Sequence, residues 1–175
     1  GLGLLAFVVY VWAYTPLKRV SSVALLVGAV PGAIPPLMGW TTATGRLDAA
    51  GLALFAILFV WQIPHFLAIA LYRAEDYAAG GIKVLPQTQG LRATRWHIVL
   101  STVLLVAVSV LPFRLGIAGL VYLVGALAVG LWFLWVALAG FRAPAPRAWA
   151  RRLFLASLLY LTALFLVLAV GHAFA

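Results

Sequence analysis

Five apolar runs, each long enough or nearly long enough to cross a lipid bilayer, dominate the 175-residue sequence. A helix needs about 20 apolar residues to span the hydrocarbon core. The runs are continuous rather than alternating, and only helices or closed barrels satisfy the backbone in lipid. The sequence therefore predicts an all-α, polytopic transmembrane helix bundle, in one domain over residues 1–175. The predicted helices are Val20 to Trp40, Ala49 to Tyr72, Trp96 to Pro112, Gly116 to Phe141 and Leu153 to Gly171, after a partial helix from Gly1 to Tyr14.

The charged residues predict how the helices are oriented. Ten of the twelve Lys and Arg residues lie in alternate connections, which by the positive-inside rule face the cytoplasm. Because these cations are scattered between apolar runs, the net charge of +9 indicates topology signals and argues against nucleic-acid binding. Cysteine is absent, which excludes disulfides and cysteine metal sites.

The longest connection, Arg73 to Arg95, holds two of the three acidic residues, Glu75 and Asp76. A lone carboxylate beside a membrane is usually a solvated surface charge. Here the two acids lie among Lys, Arg and glycines, a combination that suits a magnesium diphosphate. Carboxylates and phosphate oxygens ligate Mg²⁺, and cations stabilise the departing diphosphate. We interpret residues 73–95 as a cytoplasmic cap loop that carries part of a site.

Two polar side chains inside the membrane, Gln62 and His65, are further candidates, because such residues are costly in lipid and usually face the bundle interior. If the helix continues beyond Tyr72, then Tyr72 and Asp76 fall within about 20° of His65, and Asp76 lies about 16 Å above it. His65 then suits a large flat acceptor held below the diphosphate. The alternative is that Gln62 and His65 brace helices around Pro64.

Three segments carry a resemblance to a known family: "YTPLKR" from Tyr14, "GAVPGAIPPLMGW" from Gly28 and "WQIPHFLAIALYRAEDYAAGGIKVLP" from Trp61. They resemble the protohaem IX farnesyltransferases, or haem O synthases, a branch of the UbiA superfamily of intramembrane prenyltransferases. The resemblance implies nine helices with two Asp-rich loops that face each other. This chain looks like helices four to nine, truncated at its N-terminus and without the first Asp-rich motif, so the fragment alone is expected to be inactive.

The resemblance also implies a reaction, in which a farnesyl group passes from farnesyl diphosphate to a vinyl group of haem b to give haem O. Asp76 would bind Mg²⁺ in the second Asp-rich motif, and cations would bind the diphosphate. The predicted catalytic residues are Asp76, Lys18 and Arg19, and the predicted metal ligands are Asp76 and Glu75. The predicted substrate contacts are Tyr14, Gln62, His65, Tyr72, Arg73 and Lys83. The family further implies a multi-pass protein of the inner (plasma) membrane, with haem A synthase or a cytochrome oxidase assembly factor as a partner.

Two other functions are compatible with the sequence. One is a UbiA-type enzyme that prenylates an aromatic quinone precursor, against which the "WQIPHF" helix argues. The other is a non-enzymatic membrane bundle or transporter fragment. Transporters place polar and ion-binding groups near mid-membrane, whereas here the polar residues gather on one helix face and its cap, which favours an enzyme.

Overall fold

The computed structural model describes residues 1–17, 21 and 24–173, and every regular element in these residues is helical. Among them, five helices are long and apolar enough to cross a membrane, which confirms the predicted all-α, multi-pass bundle. A 3₁₀ turn, Ala139–Arg142, connects the last two helices, and the first helix includes a π-helical stretch, Val9–Tyr14. The helices are α1 Leu2–Leu17, α2 Ala24–Thr44, α3 Ala49–Tyr72, α4 Ala74–Ala79, α5 Leu85–Val108, α6 Leu111–Arg114, α7 Leu120–Leu138 and α8 Pro146–Ala173.

Helix α3 lies at the centre of the bundle. It packs against α2 on one side and against α5 and α8 on the other, while α7 contacts α5 and α8, and α1 contacts α2. Small buried residues such as Ala68, Ala126 and Ala156 allow the helices to approach closely, which is how helices associate in lipid. The bundle therefore has an α1–α2 side and an α5–α7–α8 side, joined by α3.

The bounds of α3 agree with the predicted Ala49 to Tyr72 because both ends carry clear signals. The Asp48 carboxylate caps the N-terminus by accepting hydrogen bonds from the backbone N–H groups of Ala50 (3.1 Å) and Gly51 (3.2 Å). At the other end Arg73 leaves the helical region, with φ −107° and ψ 27°. The helix does not continue to Asp76, so the predicted alignment of Asp76 above His65, which required a continuous helix, is not realised.

The predicted loop from Arg73 to Arg95 is mostly helical. It contains α4 and the first turns of α5, which begin where extended Val84 precedes Pro86, a residue favoured in a first helical turn. Gly90, with φ 80° and ψ 173°, kinks this part of α5. Helix α8 likewise begins at Pro146 rather than Leu153. Apolar runs identify the part of a helix that lies in lipid. They do not identify the polar turns by which a helix extends beyond the lipid.

Described residues at or beside three connections rich in basic residues lie at one end of the bundle, which we call the basic end. Arg147, just inside α8, lies 3.4 Å from the Glu75 carboxylate in α4, and Tyr14 in α1 shares a cavity with Lys83. At the opposite end Asp48 pairs with Arg46 (3.5 Å) and accepts a hydrogen bond from the Trp40 indole (2.9 Å). The described parts of the three connections thus lie together, while Lys18 and Arg19 lie outside the described residues. The cytoplasmic orientation of this end stays a prediction.

Candidate active site

A cavity of about 590 Å³ lies between α1, α2, α3 and the segment that follows α4. Its walls are mainly apolar, and the side chains with polar groups are Tyr10, Tyr14, Ser21, Gln62, Tyr77 and Lys83. Ligand pockets of this size, with few polar groups in apolar walls, are typical of small-molecule sites. Three of the predicted substrate contacts, Tyr14, Gln62 and Lys83, therefore come together in one cavity.

Gln62 is fixed in the wall of this cavity. Its side-chain amide donates hydrogen bonds to the backbone carbonyls of Ala29 in α2 (3.0 Å) and Leu58 in α3 (3.1 Å), which engages both amide hydrogens. The amide oxygen lies against Gly32, where any Cβ would collide with it. These contacts hold the Gln62 side-chain amide in a single orientation.

Two glycines of α2 make room for the cavity side chains. A Cβ at Gly28 would lie 2.7 Å from the ring of Tyr14, and one at Gly32 would overlap the amide of Gln62. A Gly-x-x-x-Gly pair in a membrane helix is typical of close helix packing. The structure shows in addition which side chains approach it, and both belong to the cavity.

The residues that follow the two acids line one part of the cavity, which we call its mouth because Lys83 is exposed there. Tyr77, Ile82 and Lys83 line it, and the chain reverses between them at Gly81, whose φ of +64° favours glycine. The Ile82 N–H donates to the Tyr77 carbonyl (3.0 Å) and closes this turn. The glycines beside the acids thus direct Lys83 back to the cavity.

The two acids lie beside this mouth, in a cluster at the basic end. Asp76 pairs with Arg73 (3.0 Å), and Glu75 pairs with Arg147 (3.4 Å). The ring of Tyr72 contacts both guanidinium groups, with centroid distances of 5.3 Å to Arg73 and 6.0 Å to Arg147. The carboxylates are 65% and 82% exposed. Exposed ion pairs contribute little to stability, so both acids can exchange these partners for a ligand at small cost.

His65 faces the other side of α3. Its Nδ1 lies 2.7 Å from the Ser157 hydroxyl in α8, and its ring stacks on Trp61 at 4.5 Å. The Ser157 hydroxyl donates to the Phe154 carbonyl (2.6 Å), which leaves it as an acceptor for the N–H at Nδ1. The Trp61 indole N–H donates to the Ser157 carbonyl (2.8 Å). His65 is buried and is not among the described residues that line the cavity. Its assignment to the acceptor stays a prediction, while the geometry fits a brace between α3 and α8.

The predicted residues thus fall into separate groups. Tyr14, Gln62 and Lys83 share the cavity, while Tyr72, Arg73, Glu75 and Asp76 share the cluster at the basic end. His65 belongs to neither group, and Lys18 and Arg19 lie outside the described residues.

Comparison with protein families gives a match over residues 1–173 to the UbiA prenyltransferase family. The chain belongs to this family. The cavity of this UbiA family member has an acidic helix and a lysine at its mouth.

Curated relatives carry a more specific name. The chain is 51% identical over 172 residues to the "Protoheme IX farnesyltransferase" of Myxococcus xanthus (strain DK1622), covering 98% of this chain and 58% of the relative. It is 54% identical over 171 residues to the enzyme of that name from Anaeromyxobacter sp. (strain Fw109-5), covering 98% and 57%. For Sorangium cellulosum (strain So ce56) the identity is 51% over 166 residues, covering 95% and 59%. The chain thus spans between 57% and 59% of the length of these relatives. No solved structure gives a significant match.

The carboxylates of this UbiA family member fit part of a magnesium site. Among the described residues no three His, Asp or Glu side chains form a group that could hold a metal ion. Mg²⁺ is, however, commonly bound by one or two carboxylates, with waters and substrate phosphates as its other ligands. Asp76 and Glu75 would supply the carboxylates of such a site, and their exposure leaves room for the other ligands.

Sequence reasoning missed several residues that complete these groups. Tyr77 and Phe66 line the cavity, and Tyr77 could have been noticed because it directly follows Asp76. Ser157 could have been noticed as a hydroxyl within an apolar run, since such groups often bond across membrane helices. Arg147 carried no signal, because 72 residues separate it from Glu75.

Proposed function

We propose that this protein transfers the farnesyl group of farnesyl diphosphate to a vinyl group of haem b, giving haem O. The observation that carries the proposal is the apolar cavity with Lys83 at its mouth, next to the helix that bears Glu75 and Asp76. A prenyl diphosphate has the same division, an apolar chain with an anionic head. The printed names of the relatives support the choice of donor and acceptor.

In this proposal the diphosphate binds at the basic end. Lys83 and Arg73 neutralise its charge, together with Lys18 and Arg19, which lie outside the described residues. Asp76, with Glu75 as the weaker contributor, would hold Mg²⁺, which when bound offsets the negative charge that develops on the departing diphosphate. The farnesyl chain extends into the cavity towards Phe66 and Leu67.

The reaction requires the bond between the allylic carbon and the diphosphate oxygen to break, with the electron pair leaving on oxygen. The π electrons of a haem vinyl group then form the new carbon–carbon bond. Water adds to the resulting cation and loses a proton, which leaves a hydroxyl. Tyr14, Tyr77 and Phe66 line the cavity, and in this proposal their rings would stabilise the allylic cation, because aromatic faces attract cations. Gln62, held by two carbonyls, orients the chain.

Location and partners follow from the same proposal. We place the protein in the inner (plasma) membrane with the basic end in the cytoplasm. Its product would pass to an enzyme or assembly factor that consumes haem O, such as haem A synthase.

The orientation can be measured directly, because the 175 residues contain no cysteine. Single cysteines at positions 18, 76 and 147 should react with an impermeant reagent from the cytoplasmic side. A cysteine at position 46 should react from the opposite side. Labelling of position 76 from the outside would contradict the proposed site.

The activity is tested with the complete reading frame that contains this chain, expressed in membranes without haem O. Farnesyl diphosphate, Mg²⁺ and haem b should yield a haem whose mass has increased by one farnesyl group and one hydroxyl group. Hydroxybenzoate in place of haem b serves as the discriminating acceptor. Prenylation of hydroxybenzoate instead of haem b would favour the quinone-precursor alternative, and no product with either would favour a non-enzymatic role.

A further inference from the structure

A second concavity, a groove of about 1090 Å³, lies on the α5–α7–α8 side of the bundle, between the end of α7, the 3₁₀ turn and the start of α8. Trp132, Trp135, Leu155 and Leu159 form its apolar walls. Arg142 and Arg152 line it near the basic end. We propose that this groove binds an anionic phospholipid, with the phosphate at Arg142 and Arg152 and the acyl chains along the apolar walls.

Specific side-chain contacts fix the shape of the groove. The Trp149 side chain, 5% exposed, forms part of its lining and donates a hydrogen bond from Nε1 to the Val136 carbonyl (2.9 Å). Gly140 allows this position, because a Cβ there would overlap the indole ring. The same residue lies in the 3₁₀ turn Ala139–Arg142, which places Arg142 at the groove. These contacts therefore fix the part of the groove that contains Arg142.

The positive charge of the groove is not balanced by a carboxylate side chain in the described residues. The sequence contains three acidic residues, and all three pair elsewhere: Asp48 with Arg46, Glu75 with Arg147 and Asp76 with Arg73. Within the described part of the chain this leaves Arg142 and Arg152 without a carboxylate side chain as partner.

A third cation lies nearby. The Arg95 guanidinium is 5.9 Å from the Trp149 ring, and its buried Nε has no hydrogen-bond partner among the described residues. A phosphate at a membrane surface is the anion that such a concavity encounters most, and basic pockets between helices at that depth are typical sites for lipid headgroups.

Two other occupants are less suitable. A haem with its propionates at the arginines would lie beside α7 and α8, whereas the donor cavity lies beside α1 and α2, across α3. Its vinyl group would not reach the allylic carbon. A second copy of the same face would place Arg142 and Arg152 against their own equivalents, because a twofold interface is self-complementary. The walls of the groove face lipid, with Trp135 68% and Leu159 62% exposed.

The test uses the complete protein purified in detergent and two dioleoyl lipids, phosphatidylglycerol and phosphatidylcholine. Bound lipids are counted, and their dissociation constants obtained, by native mass spectrometry during titration. The parent should retain one phosphatidylglycerol in preference to phosphatidylcholine. Arg142→Gln with Arg152→Gln should reduce that preference by about fivefold for each arginine, as expected for a basic residue at an anionic surface.

A matched control separates a site from general surface charge. Arg92→Gln with Arg151→Gln removes two exposed arginines at the same end without touching the groove lining, and should leave the preference unchanged. A second variant, Ala148→Trp, fills the groove while keeping every arginine, and should release the lipid.

Three results would overturn the proposal: equal losses in both double variants, full retention in Ala148→Trp, or displacement of the bound lipid by stoichiometric haem.

Discussion

The two sides of helix α3 use polar side chains in opposite ways. On the α2 side the Gln62 side chain lies against Gly32 of that helix and lines an open cavity. On the α8 side, three residues later, His65 is closed in by Trp61, Phe154 and Ser157. Both residues are buried and both would be selected by the same rule about polar groups in membranes. The difference teaches that the neighbouring helix, rather than polarity, decides whether such a residue meets a ligand.

The contrast extends through the bundle. On the α5–α7–α8 side, the Tyr160 hydroxyl lies 2.6 Å from the Ser109 hydroxyl, and the Tyr122 hydroxyl donates to the Ser109 carbonyl (2.8 Å). These groups satisfy one another, as buried polar groups must. On the cavity side a glycine turn shapes the mouth, and exposed ion pairs lie beside it. We therefore expect substitutions to affect activity on one side and stability on the other.

The largest effect is expected at Asp76. In the complete protein Asp76→Asn keeps the shape but removes an anionic metal ligand, so turnover should fall about a hundredfold or more. The thermal midpoint should not change, because the side chain is 65% exposed and its ion pair contributes little. Glu75→Gln is the matched control, and its loss should be clearly smaller. Equal losses in the two variants would contradict Asp76 as the principal ligand.

Lys83 should give the next largest effect. Lys83→Ala removes a cation from the cavity mouth, and charge-assisted hydrogen bonds are about twice as strong as neutral ones. We expect the KM for farnesyl diphosphate to rise about tenfold, with a smaller change in the KM for haem b. Arg92→Ala, an exposed cation outside the cavity lining, should leave both values unchanged. A parallel rise in both variants would reduce Lys83 to a general surface charge.

A smaller effect on activity is expected from Gly32→Ala. The new Cβ would push the Gln62 amide out of its hydrogen bonds to Ala29 and Leu58. We expect turnover to fall several-fold, because the amide would lose the position in which it orients the prenyl chain. Such overpacking also destabilises the fold by about 1–3 kcal/mol. Gly39→Ala on the same helix has open space at the Cβ and should be neutral or slightly stabilising. If both variants keep full turnover, then the orientation of Gln62 does not matter for the reaction.

The sequence predicts the membrane helices well because lipid imposes one simple requirement on them. Continuous apolar length located α3 with its observed bounds, and Arg73 and Asp48 mark its ends. The same signal missed α4 and the polar first turns of α5 and α8, which lie where water and headgroups replace lipid. Proline at the start of α5 was visible in the sequence, but its meaning depended on Val84 being extended.

The candidate site was predicted in its residues and less well in their arrangement. A helical projection placed His65, Tyr72 and Asp76 on one face, which assumed a straight helix. The break at Arg73 separates Asp76 from that face, and the direction of His65 depends on Ser157, 92 positions away. Contacts over such separations arise from helix packing, which one sequence does not specify. Among the site residues that were missed, one sequence could have predicted only those close to a recognised motif, such as Tyr77.

The sharpest test of the comparison between the two sides is His65, for which activity should change least. His65→Ala removes the hydrogen bond to Ser157 and the stacking on Trp61, and leaves a void between α3 and α8. Membrane hydrogen bonds contribute about 0.6 kcal/mol on average, and truncation of a buried ring adds a cavity cost of about 2–3 kcal/mol. We expect a lower thermal midpoint in detergent, because the variant loses packing in the core. Turnover per folded molecule should stay within about twofold of the parent, because His65 lies outside the cavity.

Ser157→Ala is the matched control, because it removes the same hydrogen bond without the void. It should lower the midpoint less than His65→Ala, and neither variant should change the Soret spectrum of added haem b. The opposite result has a distinct signature: a lost or shifted Soret band in His65→Ala, at an unchanged midpoint and with Ser157→Ala normal. That outcome would mean that His65 contacts haem, as neutral imidazole can through iron or a propionate, and that α8 moves away from α3 when the acceptor binds.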